Sequence, residues 1–286
     1  MTDFWLVAFV VQGLRISVPY VLCALGGTVS ERSGVIQLGL EGMLLGGAFA
    51  ATVAAHVSGV AAVGLVGGVL GGVILAAVLA GVTLWGRADQ VVAGVALNLV
   101  AVGLTRYLLK LIFHSASSSP PVPGFDESWE TALFVSGAAA LALGTQLWLT
   151  RMPGGLRTWA VGEHPEAAEG LGVSVRAVRL RAVLAAGALA GLGGAWLALD
   201  NHGFVDRMSG GRGYIALAAL ILGRWRPMAA AAACLFFGFA DALQVQLQTA
   251  ATGVPREALQ MLPYVATLLA LSGFVGRARA PAALGR

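Results

Sequence analysis

Residues 42–86 read GMLLGGAFAATVAAHVSGVAAVGLVGGVLGGVILAAVLAGVTLWG, and these 45 positions contain no Asp, Glu, Lys or Arg. A transmembrane helix needs about 20 mostly apolar residues, so the stretch is long enough for two spans. We predict a break between them near His56–Gly59. A helix satisfies its own backbone hydrogen bonds in lipid, whereas an open strand does not. The stretch therefore predicts an all-α polytopic membrane protein.

The composition of the whole chain supports this fold class. Of the 286 residues, 58% are apolar and 11% are charged, whereas a soluble domain carries about 25% charged residues. These proportions exclude a soluble enzyme with a polar shell, a disordered chain and a nucleic-acid-binding protein. We treat residues 1–286 as a single transmembrane domain that contacts the lipid membrane.

Several other apolar stretches are long enough to span the membrane. They are residues 4–29, 88–113, 131–150, 182–200, 228–248 and 258–276. Together with the two spans of the opening stretch they make eight, within a range of about 8–10 transmembrane helices. Residues 213–223 are apolar too, but 11 residues are enough only for a short, broken or re-entrant segment.

The distribution of arginine predicts which loops face the cytoplasm. Residues 151–181 contain five arginines, whereas residues 114–130 contain three acidic residues and no Arg or Lys. Because cytoplasmic loops carry an excess of Lys and Arg, we place 151–181 inside and 114–130 outside. The span 182–200 then ends outside, so residues 201–223 have to return the chain inward as a broken span.

Glycines recur at four-residue spacing in two of the predicted spans. Gly64, Gly68 and Gly72 form one series, and Gly187 and Gly191 form another. Small residues four apart lie on one helix face and let a second helix approach closely. We therefore assign these positions to helix packing.

A short internal similarity links the two halves of the chain. Residues 33–38 read SGVIQL, and residues 212–217 read RGYIAL. Broken segments at corresponding positions of two repeats mark the substrate site in many transporters. Three identities in six positions are also compatible with chance, so both interpretations stay open.

The loop 151–181 contains the signals of a short helix. Pro165 suits a first helical turn, and Glu163 and Glu166 lie where the helix dipole favours acids. Gly170 and Gly172 then suit its end. We predict a helix of one to two turns, which belongs either to an ordinary solvated loop or to a docking element that accepts force from a partner.

Motifs for bond-breaking chemistry are absent from the sequence. It contains no Walker A loop, no HExxH or CxxC pair and no nucleophile elbow. We therefore predict no catalytic residue, no metal site and no cofactor on this chain.

Five stretches resemble, in order, the motifs of the permease subunits of ABC importers of the branched-chain amino acid, ribose and nucleoside type. The stretch WAVGEHPEAAEGLGV from Trp159 is similar to the family's cytoplasmic-loop signature, and SERSGVIQLGLEGM from Ser30 is similar to a second motif. The others are residues 89–98, 210–227 and 237–245. The EGM sequence at 41–43 and the short chain resemble the shorter permease of nucleoside importers linked to a basic membrane protein.

The resemblance implies a transport subunit of the bacterial plasma membrane that moves nucleosides or a related sugar-containing solute, and not an enzyme. It implies a partner ATPase that binds ATP and Mg, a substrate-binding lipoprotein outside the cell and a second permease. That second permease is either a longer homologue or another copy of this chain. The alternatives are a permease for ribose-type sugars or branched-chain amino acids, or an ion-coupled secondary transporter.

The resemblance also implies roles for particular residues. Coupling to the ATPase is assigned to Gly162, Glu163, Pro165, Ala168 and Gly172, and the substrate pathway to Gln37, Glu41 and Asn98. Three residues depart from the usual motifs, namely Gln37, Trp159 and His164.

Two of the pathway residues have a purely structural alternative. An acid at membrane depth needs a partner or a cavity, so Glu41 is also open to an ion pair with Arg32 or Arg106. Asn98 lies in an apolar span and is also open to a hydrogen bond that only joins two helices.

Overall fold

The computed structural model describes residues 2–125, 128–249, 261, 265, 268 and 279–285. The α-helices of this part of the chain are α1 (Thr2–Arg32), α2 (Leu40–Ser58), α3 (Ala61–Ala80), α4 (Gln90–Phe113), α5 (Ser128–Arg151), α6 (Pro153–Glu163), α7 (Pro165–Gly170), α8 (Val175–Asp200), α9 (Arg212–Leu222) and α10 (Pro227–Thr249). A π-helical turn, Gly81–Trp85, extends α3. Within the described residues, seven helices are long and apolar enough to cross a membrane. The chain is an all-α, multi-pass membrane protein, as its composition predicts.

The long uncharged stretch forms two helices with the predicted break between them. α2 ends at Ser58, and α3 begins at Ala61. Gly59 has a φ of 70°, a left-handed conformation that glycine adopts without strain, and its N–H donates to the carbonyl of Ala55 at 2.9 Å. The position of the break is therefore confirmed.

Seven of the eight predicted spans coincide with helices of the structure. These are α1 to α5, α8 and α10, with α3 extended by its π-helical turn. The eighth predicted span, 258–276, lies outside the described residues.

The segment between α5 and α8, which contains α6 and α7, defines one face of the molecule, called the loop face below. Arg32 at the end of α1 lies there, because its Nη1 is 3.8 Å from Glu163 Oε1 and its Nε donates to the carbonyl of Trp225 at 2.9 Å. At the opposite face the N–H of Ser119 donates to the carbonyl of Phe204 at 2.8 Å. The loop after α4 therefore packs on the loop after α8.

The short apolar segment is a half-length helix inside the bundle. α9 has 11 residues, follows the irregular residues 201–211 and packs against α1, α2 and α10. α8 ends at the face opposite to the loop face, whereas α10 begins at the loop face. The broken span that the arginine distribution requires is therefore confirmed.

Glycine brings α2, α3 and α8 into backbone contact. A Cβ added to Gly68 would lie 3.0 Å from the carbonyl oxygens of Gly47 and Gly191. One added to Gly72 would lie 2.7 Å from Gly191 Cα. Glycine at four-residue spacing thus removes the side chains that would separate these helices, and the predicted packing role is confirmed.

The internal similarity between the two halves does not extend to structure. Residues 33–38 are turns and irregular chain, whereas residues 212–217 form the start of α9. A glycine with positive φ lies within the first segment at Gly34 (95°) but before the second segment at Gly211 (84°). The two segments are not equivalent, so chance similarity is the better account.

Gly72→Ala is expected to lower the thermal stability of the detergent-solubilised protein. The added Cβ would overlap the backbone of α8, and overpacking of this kind costs about 1–3 kcal/mol. Gly103→Ala is the matched control, since a Cβ there meets no atom within 4 Å and alanine favours a helix. Unfolding monitored by tryptophan fluorescence gives both midpoints. Equal midpoints for the two variants would contradict the packing role of Gly72.

Candidate substrate pathway and coupling surface

Glu41 lies in the first turn of α2 and binds the start of α9. The residue is 8% exposed; its Oε1 accepts the N–H of Gly211 at 2.8 Å, and its Oε2 accepts the N–H of Gly213 at 2.7 Å. The first amides of a helix have no partner within that helix, and the helix dipole favours a carboxylate there. Glu41 is therefore the cap of the half-length helix. The alternative of an ion pair with Arg32 or Arg106 is wrong.

Asn98 on α4 joins the irregular residues 33–39 to α9. Its Oδ1 accepts the N–H of Gly42 at 2.8 Å. Its Nδ2 donates to the carbonyl of Leu38 at 2.9 Å and to Tyr214 Oη at 3.0 Å. The expected hydrogen bond between helices is confirmed, and a role of Asn98 in the substrate pathway stays a prediction. Sequence reasoning missed Tyr214, whose hydroxyl completes this group.

Gln37 is fully buried between the end of α1 and the start of α2. Its N–H donates to Glu31 Oε1 at 3.3 Å, and its Nε2 donates to Met43 Sδ at 3.3 Å. Its Oε1 has no hydrogen-bond partner among the described residues. The structure therefore places Gln37 in the protein interior, and its role in a pathway stays a prediction.

A polar cavity of about 540 Å³ lies between α1, the end of α8 and the start of α9. Arg15 Nε donates to Asp200 Oδ1 at 2.6 Å, and Arg15 Nη2 lies 2.5 Å from the same oxygen. Gln12, Asn201 and Arg212 supply the other polar groups of the lining. None of the three pathway residues predicted from sequence lines this cavity.

Glu41 is nevertheless connected to the cavity through the backbone. The two N–H groups that it binds belong to the residues on either side of Arg212. Arg212 Nη1 in turn donates to the carbonyl of Met208 at 2.8 Å, within the irregular segment before α9. Glu41 therefore fixes the position of the Arg212 backbone beside the cavity.

Sequence reasoning missed this cavity because its residues come from three distant segments. The available signals were the charge of Arg15 inside an apolar stretch and the charge of Asp200 at the end of another. Each charge at membrane depth needs a partner. Only the fold shows that the two residues are partners of each other.

α7 on the loop face is the short helix that the sequence predicts. It has six residues and starts with Pro165. Gly172, just after its end, has a φ of 80°, which favours glycine. Ala168 is buried and packs with Val161 and Val175, so α7 is held against α6 and α8.

Gly162 and Glu163 at the end of α6 contact the end of α1 and the C-terminal segment. A Cβ on Gly162 would overlap the carbonyl oxygen of Arg32, and the carbonyl of Gly162 accepts the N–H of Ala283 at 2.9 Å. The Arg32 guanidinium lies 3.8 Å from Glu163 Oε1 and 4.2 Å from the ring centroid of Trp159. These residues fix the loop to α1, and their coupling to an ATPase stays a prediction.

Leu171 at the end of α7 is a residue that sequence reasoning missed. It is 85% exposed, more than any other large hydrophobic side chain in the described part of the chain, and it lies outside the seven spans. The neighbouring Glu166 and Glu169 are exposed as well. The available signal was a leucine between two glycines in an otherwise polar segment.

The family model described as "Branched-chain amino acid transport system / permease component" matches residues 9–271. The chain belongs to this permease family. The guanosine ABC transporter permease protein NupQ of Bacillus subtilis is 37% identical, over 93% of this chain and 92% of that protein. The nucleoside ABC transporter permease protein NupC of Lactococcus lactis is 35% identical, over 94% and 92%. The glucose ABC transporter permease protein TsgB13 of Haloferax volcanii is 30% identical, over 94% and 78%.

No solved structure matches the chain. Family membership gives this permease a transport role and, in general terms, partners that hydrolyse ATP and bind the substrate. The family resemblance carried by the five sequence motifs is confirmed.

Glu41→Gln is expected to lower the thermal stability of this permease. The amide nitrogen would face a backbone N–H of α9 that a carboxylate oxygen now accepts, and losing a hydrogen bond to a charged group costs about 1.5–3 kcal/mol. Glu166→Gln is the control, because Glu166 is exposed. Differential scanning fluorimetry in detergent gives the two midpoints. If the E41Q midpoint matched that of E166Q, Glu41 would not be the residue that stabilises the start of α9.

Proposed function

We propose that this permease is the membrane-spanning subunit of an ATP-driven importer that carries nucleosides across the bacterial plasma membrane. The observation that carries the proposal is the 37% identity, along 93% of the chain, to a permease named for guanosine. A second relative of matching length is named for nucleosides. The polar cavity beside α9 supports the proposal, since a solute with several hydroxyl groups needs polar partners inside the membrane.

The proposal assigns ATP hydrolysis, with its ATP and Mg²⁺, to a separate ATPase subunit. It adds a substrate-binding lipoprotein outside the cell and a second permease, which is either a longer homologue or a second copy of this chain. The loop face is then cytoplasmic. Its five arginines support that orientation, because cytoplasmic loops are enriched in Lys and Arg.

In this proposal the ATPase binds α7, with Leu171 as the apolar anchor. Gly162, Ala168 and Gly172 hold the helix in position through their contacts and backbone conformation. Glu163 connects the same loop to Arg32 at the end of α1. A force on α7 therefore reaches a transmembrane helix directly.

An ion-coupled transporter is the less favoured alternative. Such a transporter would need an acid within the membrane that is free to bind a cation or a proton. Glu41 binds two backbone amides, and Asp241 accepts a hydrogen bond from Tyr20. Both acids are engaged within the protein, and Asp200 at the cavity is paired with Arg15, which disfavours ion coupling. Sugars remain the second candidate substrate, because a glucose permease is among the relatives.

Uptake by the reconstituted complex tests the proposed function. The permease is purified with its ATPase and second permease, placed in liposomes and supplied with the binding lipoprotein and labelled guanosine. Uptake is expected only with hydrolysable ATP, and unlabelled adenosine is expected to compete where glucose and leucine do not. Uptake driven by an ion gradient in liposomes that contain the permease without the ATPase would overturn the proposal.

Leu171→Ala is expected to weaken ATPase binding to the permease about tenfold. Burying a leucine side chain contributes about 1.5–3 kcal/mol, and each 1.4 kcal/mol corresponds to a factor of ten in affinity. Val57→Ala is the matched control, an aliphatic residue that is 80% exposed at the opposite face. Binding of the ATPase to immobilised permease gives the two dissociation constants. Equal constants for both variants would rule out Leu171 as the anchor.

A further inference from the structure

We infer that the cavity between α1, the end of α8 and the start of α9 is the substrate site of this permease, and that the Arg15–Asp200 pair binds the vicinal diol of a ribose. The inference rests on the proposed function and adds to it the place and the chemistry of recognition. It concerns residues that neither the sequence motifs nor the family relationship assigns to substrate.

The backbone around the cavity is the first argument. Residues 201–211 are irregular, and α9 begins at Arg212 next to them. Inside a membrane, irregular backbone is tolerated where it is buried in protein or lines a water-filled cavity. The cavity lies at the point where α8 has ended and α9 begins, so the break in the helices and the polar space coincide.

The unused hydrogen-bonding capacity of the lining is the second argument. Both contacts of Arg15 go to Oδ1 of Asp200, and Oδ2 makes no hydrogen bond with the described residues. Asn201 donates from Nδ2 to the carbonyl of Leu197 at 2.7 Å, which leaves its Oδ1 as an acceptor. The side chain of Gln12 makes no hydrogen bond within the described part of the chain. The cavity is therefore lined by residues with hydrogen-bond acceptors and donors that have no partner within the described part of the chain.

The Arg15–Asp200 pair suits a neutral ligand with several hydroxyl groups. Asp200 compensates Arg15, so a neutral ligand can bind the pair without leaving either charge alone. Arg212 adds a second guanidinium to the lining, where its Nη1 donates to the carbonyls of Met208 and Ser209. A vicinal diol supplies two hydroxyl donors for the carboxylate and amide oxygens, and two acceptors for the guanidinium.

The apolar part of the lining and the volume of the cavity suit a nucleoside. Pro19, Ile16 and Trp196 give the cavity an apolar side beside the charged pair. A volume of about 540 Å³ lies within the range of about 300–1,000 Å³ that is usual for small-molecule sites. The diol would bind the polar side, with the base against the apolar side.

The test compares guanosine with 2′-deoxyguanosine in the complete reconstituted complex. The affinity of the isolated lipoprotein for each compound is measured first, and both are then supplied at saturating concentration. The wild-type complex is expected to transport guanosine faster. Asp200→Asn is expected to lower guanosine uptake about tenfold, as the loss of a hydrogen bond to a charged group implies, and to bring the two rates close together.

Gln12→Ala is the second variant, because the Gln12 side chain makes no hydrogen bond within the described part of the chain and its truncation is expected to leave the fold intact. It is expected to lower guanosine uptake about threefold, within the range of a single neutral hydrogen bond. An assembled complex of either variant with the wild-type rate and the wild-type preference would overturn the site. If Asp200→Asn fails to assemble, the result for Gln12→Ala decides. A wild-type complex that transports no nucleoside would instead refute the proposed function.

Discussion

A helix that begins inside a membrane presents backbone N–H groups that lipid cannot bind, and in this permease Glu41 binds them. Each such group left unpaired in hydrocarbon costs several kcal/mol, so a half-length helix needs a partner at its start. Because both carboxylate oxygens are used, α2 and α9 are joined at the level where each begins. The irregular residues 201–211, the position of Arg212 and the polar cavity all depend on that joint.

The choice of side chain at each break follows from the backbone groups that the break exposes. The start of α9 exposes only donors, which suits a carboxylate with two acceptor oxygens. Residues 33–42 expose the carbonyl of Leu38 and the N–H of Gly42 together, and the amide of Asn98 offers one donor group and one acceptor to match. An acid at position 98 would leave the carbonyl of Leu38 unpaired, and an amide at position 41 would leave an N–H unpaired.

Local signals in the sequence were enough for the fold class and for the described spans, because the thickness of the bilayer alone sets the length of an apolar helix. The break at Gly59 and the start of α7 at Pro165 were predictable from local signals too, since each depends on the conformation of one residue. The partner of Glu41 was not predictable. An arginine partner was one alternative because charged side chains are visible in a sequence, whereas the unpaired amides of α9 exist only in the fold.

α1 and α8 connect the loop face to the cavity, and they touch at both ends. Arg179 Nε donates to the carbonyl of Ser33 at 3.3 Å near the loop face, and Arg15 binds Asp200 at the cavity. Arg32 and Arg15 are 17 residues apart on α1, about 26 Å at 1.5 Å per residue. Helices are stiff over this length, but Pro19 removes one backbone hydrogen bond from α1 close to the cavity. Under the proposed coupling, we expect a displacement of Glu163 and Arg32 to bend α1 at Pro19 or to alter the Arg15–Asp200 pair. Either change would alter the proposed substrate site.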